Sequence, residues 1–257
     1  MRPGIRYALA FASGIVLAGG VSLAIASDRL WHTSSSDGTS IHSIRPTGVG
    51  LPLVGADGTV GAGDYAEPLK EYHDSGEYVE DLEKVDSRAK VYLRKRVRAM
   101  RSRGAEAKPA LVLDIDETSL SNYKYISQTN FSAVLVGLAT AVARADDPPI
   151  GPTLNLYRFA QRKGVDVFFI TGRPDNIPMV REQTEMNLES AGYRDWAGLS
   201  LNRGSLETVP YKSGERRKIE KRGYRIVANV GDQESDLQGG HADRAFKLPN
   251  PFYFIGP

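Results

Sequence analysis

The sequence predicts an α/β domain, a parallel sheet covered by helices on both faces, and three observations predict it. Five short apolar segments recur between residues 110 and 248 with helical stretches among them, the alternation that βαβ units produce. Three of those helical stretches stop at a glycine, Gly164, Gly192 and Gly223, and two carry a proline in or near the first turn. Lastly, the first apolar segment runs into Asp114-Ile115-Asp116, the second into Thr171-Gly172-Arg173 and the fourth into Gly231-Asp232. Open α/β sheets gather their functional groups at such strand ends. At 257 residues and 41% hydrophobic, the chain can bury one sizeable core with room for an appendage.

The elements follow in order. Arg2 and Arg6 precede an uncharged run, Tyr7 to Ala26, that ends Ala24-Ile25-Ala26 before Ser27. A basic head, apolar middle and small-residue exit make a signal peptide over residues 1–26. The rival reading is an uncleaved anchor, since the run is long enough as a helix to cross a hydrocarbon layer of ~30 Å. Both readings export the rest, and a membrane is met only through residues 7–26 where they are retained. Residues 27–63 include TSSSDGTS and GADGTVGAG, show no period and read as a flexible linker. That leaves residues 64–257 as the folded domain. From Ser75 the apolar positions Tyr78, Val79, Leu82, Val85, Ala89, Tyr92, Leu93, Val97 and Met100 recur mostly at three and four residue steps. They predict a long amphipathic helix ahead of the sheet, with Ser75 as N-cap and Gly104 as terminator. Its basic end, Arg94 to Arg103, suits a helix carboxyl terminus and a solvated face.

Strands are expected over 110–115, 166–170, 199–201, 225–230 and 245–248. Helices are expected over 152–163, 175–191 and 213–222, the last capped by Ser213 with Lys212 just ahead of it. Residues 121–151 form an insert after the first strand. Its apolar middle, FSAVLVGLATAVA, predicts a small helix over the mouth of the sheet and is too short to span a membrane.

Composition excludes several functions. The 33 basic and 31 acidic residues include Arg2 and Arg6, so the chain beyond them carries 31 of each, and no surface for a nucleic-acid polymer is implied. The absence of cysteine excludes disulfides, thiolate metal sites and a cysteine nucleophile. Four histidines, His32, His42, His73 and His241, have no Arg-His-Gly triplet among their neighbours, which leaves a phosphohistidine mechanism without support.

What remains is a set of strand-end groups. Residues two apart on a strand point to one side, so Asp114 and Asp116 can converge on one ligand while Ile115 enters the core. Thr171 and Gly172 stand before the amino end of a helix, a place to hold phosphate oxygens. Asp232 and Asp236 add hard oxygen ligands that suit Mg²⁺, and Lys212 adds a cation facing the same crevice. Singly, each has an ordinary structural reading: Thr171 as a cap, Asp232 as a turn residue, and Lys212 as part of a solvated cluster with Arg216, Arg217 and Lys218. Their order along one sheet unites them.

These residues carry a resemblance. Asp114-Ile115-Asp116-Glu117-Thr118 resembles the first motif of the haloacid dehalogenase-like (HAD) superfamily, Ile170 to Arg173 the second, Lys212 the third, and Gly231-Asp232 with Asp236 the fourth. More narrowly, DIDETSLSNYKY, TEMNLESAGY and VGDQESDLQGGHADRAFKLPNPFY look like the exported acid phosphatases of that superfamily, subfamily IIIB, with the bacterial class B and C enzymes and the plant vegetative storage proteins. The resemblance implies a three-layer Rossmann-like core with an amino-terminal helical extension. It implies a phosphomonoesterase acting on small molecules, nucleotides among the candidates, with Mg²⁺ as cofactor. Asp114 would be the nucleophile that forms an aspartyl-phosphate, and Asp116 the general acid and base that also offers its backbone carbonyl to the metal. Asp232 would complete the ligands, with Asp236 holding metal-bound water or Lys212. Thr171, Gly172, Arg173, Lys212 and backbone N–H groups would receive the phosphate. Tyr123, Tyr125 and Phe131 are candidates for stacking on a leaving group, against the competing reading of core aromatics. The same intermediate permits transfer to an alcohol or nucleoside acceptor. A silent storage or binding protein of this fold is the non-enzyme alternative, and it would lack one of the motif residues.

Overall fold

The computed structural model describes residues 62–204 and 207–255, so the signal or anchor segment and nearly all of the linker, residues 1–61, lie outside the described residues. In chain order the elements are α1 (Ala62–Asp74), α2 (Glu77–Ser102), β1 (Lys108–Leu113), α3 (Tyr123–Ile126) with a 3₁₀ turn (Ser127–Thr129), α4 (Val134–Arg144) and α5 (Gly151–Arg162). They continue as β2 (Asp166–Pro174), α6 (Val180–Ser190), β3 (Gly198–Asn202), α7 (Thr208–Lys221), β4 (Tyr224–Gly231), α8 (Glu234–Leu237) and β5 (Ala245–Lys247). The five strands form one parallel sheet in the order β3-β2-β1-β4-β5. The α/β class, the parallel sheet and the helix ahead of it are as expected.

The strand pattern explains why both faces are covered. Leu111 and Leu113 of β1, in register with Val167 and Phe169 of β2, point into the larger core. Their neighbours Ala110 and Val112 join Phe168, Ile170, Ile226 and Ile219 of α7 on the other face. Period-two alternation with apolar residues on both sides is what a strand buried between helix layers requires. On the first face α2 contributes the stripe Tyr78, Leu82, Val85, Ala89, Leu93, Val97 and Met100, all buried, whereas Val79 and Tyr92, expected in the same stripe, are exposed and half-buried because they fall to its sides. Each large side chain so buried stabilises the fold by about 1.5–3 kcal/mol. Asp86 lies buried in the same stripe, where Thr153 of α5 donates to it at 3.0 Å. Among the described residues no helix is long and apolar enough to cross a membrane.

Several boundaries differ from expectation, each for a local reason. Helix α1 starts at Ala62, inside the stretch read as linker. Ser75 is not the cap of α2: Gly76, at φ 89°, makes the turn between α1 and α2. Helix α6 begins at Val180 rather than at residue 175, because β2 runs on to Pro174 and Met179 holds φ 69° just ahead of the helix. Helix α7 begins at Thr208, so Lys212 lies inside it and Ser213 is no cap; the Ser213 hydroxyl donates instead to the Pro210 carbonyl at 3.3 Å. Pro210 sits in the first turn, where a missing N–H costs no helical bond. The insert does form helices, α3 and α4.

Candidate active site

Strand β1 stops at Leu113, and the chain then folds back on itself. Asp114 still pairs as if in the sheet, its N–H donating to Val230 at 3.0 Å. The N–H groups of Thr118, Ser119 and Leu120 then converge on the Ile115 carbonyl at 3.2, 2.8 and 2.9 Å. Glu117 takes φ 50° within this turn and is fully buried. Its carboxylate accepts from Asn122 N–H at 2.6 Å, from Asn122 Nδ2 at 3.0 Å and from the Tyr253 hydroxyl at 2.6 Å. Those bonds hold a non-glycine residue in the left-handed region, a conformation that persists only where its surroundings over-determine it. Burial, against those donors, pushes the Glu117 carboxyl up to about 8.

Asp114 and Asp116 leave this turn with different partners. The Lys212 ammonium donates to Asp114 Oδ1 at 2.5 Å and to Asp236 Oδ1 at 2.5 Å. Asp236 accepts from Gln233 N–H with its other oxygen at 2.8 Å. Gly231 makes this approach possible, because a Cβ there would lie 2.4 Å from Asp236 Cβ. Asp232 receives Thr118 Oγ1 at 3.1 Å on one oxygen, and Gln233 Nε2 at 2.6 Å and Asn250 Nδ2 at 2.7 Å on the other.

Asp114, Asp232 and Asp236 are all buried and each offers an oxygen within 4.8 Å of the others. Burial, then the Asp236 charge, pushes the Asp114 carboxyl well above the usual range against the pull of Lys212. The same two causes push Asp232 up to about 6. Three buried carboxylates face the Lys212 ammonium, with the Lys247 charge acting on Asp232 and Asp236 as well, and a hard divalent cation would balance the negative charge that remains. The donor set fits Mg²⁺, all oxygen and all acidic.

The Asp116 carboxylate is held from β2. Arg173 Nη2 lies 2.7 Å from its Oδ1, and Nε lies 3.2 Å from each oxygen, with Asn122 Nδ2 adding a bond at 3.0 Å. Burial works to raise the Asp116 carboxyl, but Arg173 and Asn122 hold it below its ordinary value. The guanidinium is itself buried and also donates to Thr184 Oγ1 at 3.2 Å. The carboxylate of Asp147 lies 3.9 Å from it, pushed up to about 7 by burial.

Residues 59–256 match the family model described as HAD superfamily, subfamily IIIB (Acid phosphatase). The chain belongs to this acid phosphatase family. Acid phosphatase 1 from Solanum lycopersicum is 35% identical over 198 residues, 74% of each chain. Vegetative storage protein 2 from Arabidopsis thaliana is 34% identical over 153 residues, 56% of each. The structure of the class C acid phosphatase from Bacillus anthracis superposes with a TM-score of 0.56 at 23% identity, covering 72% of this chain and 82% of that one, and speaks for the fold. Membership makes this acid phosphatase a phosphoric monoester hydrolase, and its family typically uses a divalent metal.

The other residues singled out in the sequence of this acid phosphatase have varied surroundings. Thr171 is buried, its Oγ1 accepting from Arg173 N–H at 3.1 Å, and Gly172 is exposed. Arg173, expected at the phosphate, gives its fork to Asp116 and Thr184. Tyr125 donates its hydroxyl to Asp146 at 2.5 Å. Phe131 is core, stacked on Phe252 at 5.6 Å. Tyr123 is partly exposed and stacks on His73 of α1, ring centroids 3.4 Å apart. Sequence reasoning does not pick out Asn122, Asn250 or Tyr253 as part of the site. The only sequence signal for them lies in proximity to motif residues or in the closing LPNPFY stretch.

Proposed function

We propose that this chain is an exported, Mg²⁺-dependent phosphomonoesterase that works through an aspartyl-phosphate on Asp114, with Asp116 as general acid and base. The single observation that carries the reading is the shared Lys212 ammonium, which binds Asp114 and Asp236 at 2.5 Å each inside the buried carboxylate group. A carboxylate-rich group with too little positive charge of its own supports a site that takes a divalent cation together with a phosphate dianion.

Asp114 Oδ attacks phosphorus and the bond to the leaving alcohol breaks, while the Asp116 carboxyl hands its proton to the departing oxygen. The Asp116 carboxylate then takes a proton from water as that oxygen attacks phosphorus. The Asp114–phosphorus bond breaks and inorganic phosphate leaves. Lys212 and Thr171 would hold the transferred oxygens throughout. Asp114, Asp232 and Asp236, with the Asp116 carbonyl, would hold Mg²⁺, which supplies charge neutralisation for the phosphoryl group. Arg173 and Asn122 hold the Asp116 carboxyl below its ordinary value, which favours its base role in the second step.

A storage role without chemistry is suggested by the likeness to Vegetative storage protein 2. It expects a missing motif residue, and Asp114, Asp116, Thr171, Lys212, Asp232 and Asp236 are all present. The test is hydrolysis of a chromogenic phosphate, with and without chelator, by the wild type and by Asp114→Asn. Retained metal-dependent turnover in the variant would sink the nucleophile assignment. A panel including nucleoside monophosphates examines whether Tyr123 meets the leaving group, and amino-terminal sequencing of the exported form examines removal of residues 1–26.

A further inference from the structure

Two cations four residues apart on α7 reach the same acidic residue by different atoms. Lys212 takes the Asp236 side chain, and Arg216, one turn later, takes its main chain: Nη1 donates to the Asp236 carbonyl at 2.6 Å. The same guanidinium donates through Nε to the Gly240 carbonyl at 2.8 Å and through Nη2 to the Gln238 carbonyl. Arg216 is fully buried, while its neighbours Arg217 and Lys218 are exposed. The charge run that reads as a solvated cluster therefore hides two buried residues, Lys212 and Arg216.

The carbonyls it meets need a partner. Helix α8 is a single turn, Glu234–Leu237, and the carbonyls that close a helix have no partner within it. Asn229 Nδ2 gives the Asp236 carbonyl a second donor at 2.9 Å. The turn that follows is pressed onto α7, since a Cβ on Gly239 would lie 2.5 Å from Ser213 Cβ and Gly239 also holds φ 82°. A planar fork meets the three carbonyls in one fixed geometry, whereas a compact ammonium on a flexible stem has three donors but no fixed directions for them.

We propose that Arg216 is a positioning residue for the metal site. By fixing the main chain from Asp236 to Gly240 it sets where the Asp236 carboxylate stands relative to Asp114 and Asp232. The inference rests on the reading of those three carboxylates as metal ligands, and it adds a requirement that reading lacks: a residue that touches neither metal nor substrate should govern metal affinity.

The experiment compares the full chain with its Arg216→Lys variant, by calorimetric titration of Mg²⁺ or Mn²⁺ into chelator-treated protein, by melts with and without metal, and by kinetics at saturating metal. Arg216→Lys is expected to bind metal at least about tenfold more weakly, ~1.4 kcal/mol, with a smaller metal-induced rise in melting temperature. At saturating metal its KM is expected within about twofold of wild type by the ground-state logic of an untouched substrate site. A variant whose metal-free melting temperature drops while metal affinity stays at the wild-type value would overturn the proposal. Should Arg216→Lys not fold, Gly239→Ala lifts the same turn from α7 with Arg216 in place, and unchanged metal affinity there would overturn it equally. A wild type that binds no metal sinks the reading of the three carboxylates and this inference together. A wild type that binds metal, with either variant matching it, leaves that reading standing and removes only this one.

Discussion

Arg173 grips Asp116 through two nitrogens, Nη2 at 2.7 Å from Oδ1 and Nε at 3.2 Å from both carboxylate oxygens, from a fully enclosed position. On the proposed mechanism a guanidinium engaged in this way would orient the acid and base and leave the phosphate to Lys212 and Thr171. Arg173→Lys is therefore expected to lower kcat by about 10–100-fold, the range for a misplaced proton donor, with KM changed by less than about threefold. Steady-state kinetics at saturating Mg²⁺ decides it. A raised KM with kcat intact would return Arg173 to substrate binding.

The crowding of carboxylates around Lys212 makes the site a cost to the metal-free fold. Burial and Asp236 push the Asp114 carboxyl well above its ordinary range, so an ionised Asp114 at neutral pH destabilises the folded state relative to a neutral isostere. In chelator, Asp114→Asn is expected to melt higher than wild type although its activity is lost. Added Mg²⁺ at about 100 times its Kd is expected to stabilise the wild type by about 2.7 kcal/mol, roughly 5–10 °C for a domain of this size. It should raise the variant less. Thermal melts of both proteins in chelator and in excess Mg²⁺ provide the check, and a lower metal-free melting temperature for Asp114→Asn would contradict the charge argument.

The sheet is legible in the sequence because burial on both faces writes itself as apolar runs, and strand ends are where Asp114, Thr171 and Asp232 had to fall. Positions inside helices are less so. Lys212 reads as lying ahead of its helix because Ser213 looks like a cap, whereas the helix starts at Thr208 and carries Pro210 in its first turn, where a proline is tolerated. Arg216 is hidden in a charge run, since sequence records charge but not which member of the run is buried. Asn250 and Tyr253 support Asp232 and Glu117 from 18 and 136 residues away in sequence. Contacts of that kind exist only once the last strand has docked.

Tyr253 is the test of that distant support. Its hydroxyl is one of the donors that satisfy the buried Glu117 carboxylate, and Tyr253→Phe removes it while preserving shape. Loss of a buried hydrogen bond to a charged or polar group costs about 1–3 kcal/mol, so a drop of several degrees in melting temperature is expected. Because Glu117 follows Asp116 directly, kcat should fall as well. Unchanged stability would show that Asn122 alone suffices.

Asp86 lies apart from the site and gives the fold its own pH dependence. Burial between α2 and α5 pushes its carboxyl up to about 7, against the Thr153 hydrogen bond and the nearby Lys90 charge, with Tyr193 the other ionisable group beside it. Its unfolded value is near ~3.9, so between about pH 4 and 7 the folded chain holds a proton that the unfolded chain has released. Stability from this residue is complete below about pH 4 and is lost as pH rises through 7. Asp86→Asn removes the titration and keeps an acceptor for Thr153. It is expected to gain on wild type by about 2–3 kcal/mol between about pH 5 and pH 8, from roughly two units of pH at ~1.4 kcal/mol each. Denaturant unfolding of both proteins at the two pH values, in chelator, measures the difference; equal shifts for the two would mean that Asp86 stays ionised in the folded chain throughout.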